Sequence, residues 1–520
     1  MSERKIELIW ILKFSLIVIF ITLIPYFLGF ELAKNGGVTF SGFIFGVEDG
    51  NSYIAKMLLG QSGDWLFRTP YTSYPQNGFI AFLPYLFLGK LASKPEVHLQ
   101  LLILFQIFRC FGIVYLIYET FYFVKLFFEK QDFIKKAVVI SSVGGGLGWL
   151  LIILFTKIPL EFYSPESFGF LSILGLPHLC FSRGLMLRSF RMLIEPGADI
   201  FNLDRKLTAG FYLFMSGIFQ PLNIPLGWLV IGVWKIYEYI FKSRDKILNL
   251  IKQNFAYFLI PLPFFTYNAL NFLIDPYLKI WENQNIIKSP PLGAYLWAYG
   301  LGYLCLIFAN LIQKKVPLNN SFILIWSIFL PFLVYFPINL QRRLADGFWI
   351  VMSIYIIFVF ENFIYKKIRW AIYMTLCISS IFLLVGSINS VQNLNEPIYL
   401  SQEIIEVFTF INGDGNKNDV VLAPFNESNA LPAYIPMRVV TGHGPESKNL
   451  SEIGRFVDDF YSGKINEAEI DKRFSEFQIR YVIFQKSDEG IKSLERDSNS
   501  LKLFENDKYV LFRYMKIGEM

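Results

Sequence analysis

The sequence predicts a polytopic α-helical membrane protein of about 11 to 13 transmembrane helices, with a small C-terminal α/β domain on the extracytoplasmic side. Three observations predict it. Of 520 residues, 54% are hydrophobic and 17% charged, with 55 Phe and a mean hydropathy of +0.43, which is more apolar surface than one water-facing core of this length encloses. The apolar residues come in runs of spanning length divided by short basic clusters. After residue 395 those runs stop and short segments of period 2 replace them. The expected division is therefore 1–394 in the membrane and 395–520 outside it.

Residues 8–30 follow Arg4 and Lys5 and exceed the length of a signal-peptide core, so they read as a retained first span with a cytoplasmic N-terminus. Residues 31–77 break the hydropathy with Gly, Pro, Asp and Glu and form a long first external loop. Further apolar segments lie near 78–94, 97–128, 137–157, 176–193, 207–219, 222–241, 254–272, 293–312, 321–339, 346–361 and 370–389. Basic clusters at Lys130 with Lys135 and Lys136, Arg205–Lys206, Lys242–Lys252, Lys314–Lys315 and Lys366–Arg369 mark the cytoplasmic side and put the chain after residue 390 outside. That orientation needs an odd number of crossings, so one segment in 78–128 is miscounted. In the C-terminal part, Val420–Ala423, Arg438–Thr441, Arg480–Phe484 and Tyr509–Arg513 read as strands, and 449–461 as a helix.

Several function classes fall away. The net charge of +6 sits in membrane-flanking clusters rather than on one face, which excludes nucleic acid as a partner. The four cysteines, Cys110, Cys180, Cys305 and Cys377, form no CxxC pair. The three histidines, His98, His178 and His443, are too far apart for an HExxH-type metal site. No phosphate-binding GxxxxGK[ST] loop and no nucleophile elbow occur.

Four sets of residues remain as candidates for chemistry. Glu48 and Asp49 in the first loop are adjacent carboxylates at the membrane boundary, suited to accept a proton from a hydroxyl or to hold a divalent cation, Mg²⁺ or Mn²⁺; a helix cap is the plainer alternative. A helix over Tyr53–Leu59 would put Tyr53, Ile54, Met57 and Leu58 on one stripe against the membrane surface, with the acidic pair just before its start. Asp64 and Arg68 follow as candidate substrate contacts. Glu166 and His178, between two spans, are a carboxyl and an imidazole that face one cavity or else an ordinary loop acid and an interfacial histidine. Arg342 and Arg343, at the outer end of a span and against the positive-inside bias, suit bidentate binding of a phosphate or snorkelling toward lipid. Trp281, Asn283, Gln284 and Asn285 offer an indole and three amides for stacking and hydrogen bonding on a sugar. His443 and Glu446 carry a weaker signal.

The order of these features resembles the GT-C superfamily of polyprenyl-phosphate-sugar-dependent glycosyltransferases, which includes protein O-mannosyltransferases and lipid A aminoarabinose transferases. EDGNSYIAKM, GDWLFRTPYT, PES followed by LPH, WENQN with SPP, QRRLADG and TGHGPES, spread over 46–447, are similar to a motif set of bacterial integral membrane proteins of that type. The resemblance implies an inverting single displacement outside the membrane, from a polyprenyl-phosphate sugar to an extracytoplasmic acceptor hydroxyl on a glycan, lipid or protein. It implies Asp49 as base, Glu48 as its metal-binding or acceptor-orienting neighbour, Glu166 as a second acid, and Arg342 and Arg343 as the clamp on the departing lipid phosphate. The order here is Glu-Asp where the mannosyltransferases have Asp-Glu, so the base lies between the two, and the second loop has no DxD or DxE. Two other classes compete: a non-catalytic glycolipid or polymer transporter, for which matched half-repeats of intramembrane charge are missing, and an assembly protein whose exported domain docks an envelope partner.

Overall fold

The computed structural model describes residues 2–195, 203–242, 254–312 and 320–515. The Lys314–Lys315 cluster and all but the first residue of the Lys242–Lys252 cluster lie outside the described residues. Among the described residues, seven helices are long and apolar enough to cross a membrane: Glu3–Gly36, Val97–Val124, Asn223–Phe241, Asn254–Ile274, Leu292–Leu311, Gln341–Phe363 and Lys366–Gln392. Apolar segments outside these seven fall on shorter helices, such as Leu83–Gly89, Leu150–Phe155 and Asn320–Val334. The chain is a multi-pass membrane protein, and its contacts gather into two compact units.

The first unit takes in Met1–Leu23, Ile107–Leu270 and Ile286–Gly386. Its axis is helix Phe348–Phe363, buried on every side from Phe348 to Phe360. Burial on all faces places this helix in the middle of the bundle, and its uniformly apolar sequence allows it. The surrounding helices instead turn large side chains outward, Phe20, Phe241 and Leu311 among them, as lipid-facing helices do. Helices Pro177–Ile194 and Leu203–Phe219 pack through small residues and polar bridges: Ser182 Oγ and Ser216 Oγ lie 3.1 Å apart, and Ser189 Oγ donates to the Ala209 carbonyl at 2.8 Å.

The second unit takes in Ile24–Gln106, Asn271–Asn285 and Ser387–Met520. Strand β1 (Val38–Phe40), inside the long first loop, pairs antiparallel with β2 (Tyr399–Ser401). The larger sheet contains β3 (Val420–Leu422), β4 (Arg438–Val439), β5 (Ile479–Gln485), β6 (Ser500–Glu505) and β7 (Tyr509–Tyr514) in the order β4-β3-β5-β7-β6. β3 runs parallel to β4 and β5, whereas β7 is antiparallel to β5 and β6. Alternation along the strands divides the core in two. Val421, Tyr481, Ile483 and Leu511 pack against helices Gln402–Asp414 and Phe425–Tyr434. Val420, Leu422, Val482, Phe484, Val510 and Phe512 pack on the other face against Leu450–Tyr461 and Glu467–Phe477. All four expected strands and the helix are present; β6, whose residues are largely exposed or half-buried, has no clean alternation to announce it.

Helix Val47–Gln61 starts earlier than the sequence suggests and corrects the reading of its apolar stripe. Gly46 caps it at φ 56, a left-handed conformation that glycine adopts without strain. Glu48 and Asp49 are therefore its first turn rather than residues ahead of it. Ile54, Met57 and Leu58 are buried inside the unit, and Tyr53 stacks on Tyr85 at 4.8 Å, so the stripe faces protein and not the membrane surface. The helix lies so close to Leu83–Gly89 that a Cβ on Gly60 would meet the Leu86 carbonyl oxygen at 1.9 Å and one on Gly89 the Met57 oxygen at 1.7 Å.

Candidate functional site

Within the second unit, the first turns of Val47–Gln61 meet the loop 441–447, which the sequence separates by almost four hundred residues. Asn429 ties them together: its Nδ2 donates to the Gly442 carbonyl at 2.8 Å and the Glu48 carbonyl at 3.3 Å, and its Oδ1 accepts from Asn51 Nδ2 at 2.8 Å. Ser447 Oγ accepts from the Gly442 and His443 amides at 3.1 and 3.2 Å and curls the loop on itself. Helix Pro276–Gln284, capped by Asp275, braces the other side. Tyr277 OH donates to the Glu446 carbonyl at 2.7 Å, and Gln284 Nε2 to the Ser447 carbonyl at 2.7 Å.

The result is a line of charges running from the interior to the surface. Lys56 and Glu446, 2% and 3% exposed, pair at 2.7 Å. Thr69 Oγ1 donates to the second Glu446 oxygen at 2.5 Å, and Ser52 Oγ to the first at 3.2 Å. Phe82 and Phe67 hold their rings 4.4 and 5.3 Å from the ammonium, which supplements the ion pair by cation–π attraction. His443 comes next: its Nδ1 is 3.6 Å from Glu446 Oε1, too long for a hydrogen bond but close as a charge, and its Nε2 lies 3.2 Å from Asp49 Oδ1. Asp49, at 63% exposure, ends the line at the surface. Glu48 turns aside, its Oε1 accepting from the Gly444 amide at 2.6 Å.

Electrostatics favour the charged forms of the middle members. Burial works against a charged His443, but Glu446 and the hydrogen bond to Asp49 outweigh it and hold the imidazole above its ordinary pKa. Burial likewise opposes a charged Glu446, yet Lys56 and His443 outweigh it and hold the carboxyl below the usual range. The sequence points to Glu48 and Asp49 and only faintly to the rest. Lys56 gives no local signal beyond a cation inside an apolar helical run, and His443 and Glu446 stand out only as the polar residues of TGHGPES.

As a cation site the acidic pair fits poorly. Glu48 Oε1 is held by a backbone amide, Asp49 Oδ1 by His443, and Lys56 already neutralises Glu446. Among the described residues no three His, Cys, Asp or Glu side chains are grouped to hold a metal. The other first-loop candidates lie farther along: Asp64 pairs with Lys417 at 2.7 Å, and Arg68 is exposed beside Gly78. Trp281 differs from the expectation of an open stacking face. It is 8% exposed and packs among Phe67, Phe79 and Phe82, because the helix that carries it turns its apolar side into that cluster. Asn283 is exposed, and Asn285 ends the helix, its amide donating to the Trp281 carbonyl at 2.8 Å.

The remaining candidates belong to the first unit. Glu166, 6% exposed, pairs with Arg343 at 3.2 Å, while Arg342 lies over the Tyr163 ring at 5.0 Å with its Nε buried and unbonded. The Glu166 carbonyl accepts from Arg183 Nη2 at 2.7 Å, and Arg183 Nε pairs with Asp346 at 2.6 Å. His178 sits in the first turn of Pro177–Ile194.

No protein-family model matches the chain, and no curated protein matches it by sequence. Solved structures match it by fold. The oligosaccharyltransferase of Archaeoglobus fulgidus, tethered with an acceptor peptide containing the NVT sequon, aligns with a TM-score of 0.54 at 11% identity over 92% of this chain and 69% of that one. ArnT from Cupriavidus metallidurans bound to undecaprenyl phosphate aligns with a TM-score of 0.51 at 10% identity over 97% of both chains, and its apo state with 0.50 at 11% over 98% of both. The chain thus shares its fold with these two structures.

Proposed function

We propose that the protein is a membrane glycosyltransferase that moves a sugar from a polyprenyl-phosphate donor to an acceptor hydroxyl outside the cytoplasm, with inversion. The observation that carries this reading is the exposed Asp49 carboxylate, held by His443 at the end of a buried charge network. Its support in kind is the fold, shared with an oligosaccharyltransferase and with an ArnT that binds undecaprenyl phosphate.

In the proposed step the acceptor oxygen attacks the anomeric carbon, its proton passes to Asp49, and the bond from that carbon to the phosphate oxygen breaks. The phosphate leaves with the bonding electrons. Of the two candidates for base, Asp49 is preferred because Glu48 already accepts a hydrogen bond from the Gly444 amide. His443 acts as a positioning residue: as an imidazolium it fixes the Asp49 carboxylate in one orientation, and Glu446 with Lys56 fixes the imidazolium in turn. Arg342 is the proposed phosphate ligand of the first unit, since Arg343 is engaged by Glu166. Neither the donor set around Glu48 nor this step calls for a metal ion. The proposed orientation places the N-terminus in the cytoplasm and the C-terminal unit outside.

The test is transfer of radiolabelled sugar from a panel of polyprenyl-phosphate sugars in membranes carrying the wild-type protein or Asp49→Asn. Transfer by the wild type and its loss in the variant are expected; full transfer by Asp49→Asn would overturn the assignment of the base.

A further inference from the structure

One cleft of the second unit plays no part in this reading. It lies at the edge of the larger sheet where the parallel strands end, the edge at which open α/β sheets ordinarily bind ligands. Gln485 closes β5 and Tyr509 opens the antiparallel β7 beside it. With Glu396, Ser401, Lys486 and Lys508 they line a space of about 460 Å³, within the ordinary range of small-molecule sites.

Beneath the cleft, hydrogen bonds hold two of its lining side chains. Glu427, 3% exposed and in the first turn of the helix after β3, accepts from Gln485 Nε2 at 2.8 Å and from Tyr509 OH at 3.2 Å. The Gln485 amide thus gives one N–H to Glu427 and keeps its second N–H as a donor and its carbonyl oxygen as an acceptor. Both lysines are balanced by carboxylates, Lys508 by Glu403 at 3.2 Å and Lys486 by Glu505 at 2.9 Å. Burial first, and then the Glu427 charge, push the Glu396 carboxyl up, against a hydrogen bond from Asn426 and the charge of Lys508. With both lysines balanced by carboxylates and Glu396 and Glu427 in addition, the cleft has no surplus cation for an anion, yet its lining presents donors and acceptors side by side. That is the requirement for recognising several hydroxyl groups at once.

We propose that this cleft is a second binding site, for a neutral oligosaccharide, formed by Glu396, Ser401, Gln485, Lys486 and Lys508. The site goes beyond the transferase reading and stands without it.

The experiment is titration calorimetry on the full chain in nanodiscs with maltotriose, cellotriose, mannotriose and chitotriose, and with inorganic phosphate. It compares the wild type with Ser487→Trp, which fills the cleft from an exposed lining position, and with Asp49→Asn. At least one trisaccharide is expected to bind the wild type and Asp49→Asn alike and to bind Ser487→Trp ten-fold more weakly or worse, at an unchanged melting temperature. A second filling variant, Lys508→Trp, is expected to act the same way and keeps the test open if Ser487→Trp does not fold. No binding by any trisaccharide, equal binding by both folded filling variants, or displacement of the sugar by phosphate overturns the proposal.

Discussion

Each unit buries an ion pair, and the two pairs are built to opposite ends. In the first unit Arg183 and Asp346 close on themselves: Asp346 takes Arg183 on one oxygen at 2.6 Å and Asn223 on the other at 3.0 Å, and Arg183 spends a second nitrogen on backbone carbonyls. In the second unit Lys56 and Glu446 are as deeply buried, but Glu446 also faces His443, which reaches the exposed Asp49. A sealed pair holds helices in register; an open one carries a fixed field to the surface. Burial alone therefore does not mark a functional charge, and the useful sign is a buried charge with a continuous route to an exposed one.

The sharpest way to break this comparison is to remove the exposed end. Asp49→Asn is expected to lower sugar transfer by about 10²- to 10⁴-fold, the usual worth of a general base, with the melting temperature unchanged. Asp346→Asn should lower stability instead.

Next come the buried ends. Lys56→Met and Arg183→Met each leave a carboxylate buried without its cation and should cost about 3–5 kcal/mol in unfolding free energy. Chemical denaturation read by unit-specific tryptophans checks it: equal losses in both units would show that the pairs are structurally equivalent, and only Lys56→Met should also abolish transfer in the folded fraction.

A smaller effect separates the two by pH. His443 has its folded pKa raised, so its contribution is complete below about 6.5 and fades as the pH rises through the folded value. Glu446 has its folded pKa lowered, so its contribution is complete above about 4.5 and fades as the pH falls through the folded value. The second unit should be most stable in mildly acid solution, and His443→Gln should remove the loss on the alkaline side only, as melting curves across the range will read. A fall of equal steepness in the variant would refute the charge on His443.

The smallest effect concerns the metal. Because one oxygen of Glu48 is engaged by a backbone amide and one of Asp49 by an imidazole, a chelator is expected to leave transfer unchanged. Inhibition by chelator, restored by added Mg²⁺ or Mn²⁺, would show that the acidic pair rearranges around a cation.

The acidic pair was legible because Gly46, Glu48, Asp49 and Asn51 interrupt an otherwise apolar stretch, and a run of polar residues next to a span stands out in any hydropathy reading. Trp281 is the converse case: residue type tells that an indole is present, not which side of its helix meets Phe67 and Phe82. Glu166 and Arg343 were both singled out, but their pairing was not, since the residues that bring them within 3.2 Å are far from either in sequence.

By itself the sequence determined the long apolar helices and the strands of the C-terminal sheet, because hydropathy and periodicity are properties of neighbouring residues. Only the tertiary structure decided that Lys56 neutralises Glu446 and that His443 reaches Asp49. Those partners are separated by 390 and 394 positions, and a charge pair at such a distance leaves no trace in local composition; it exists only where packing brings the two ends together.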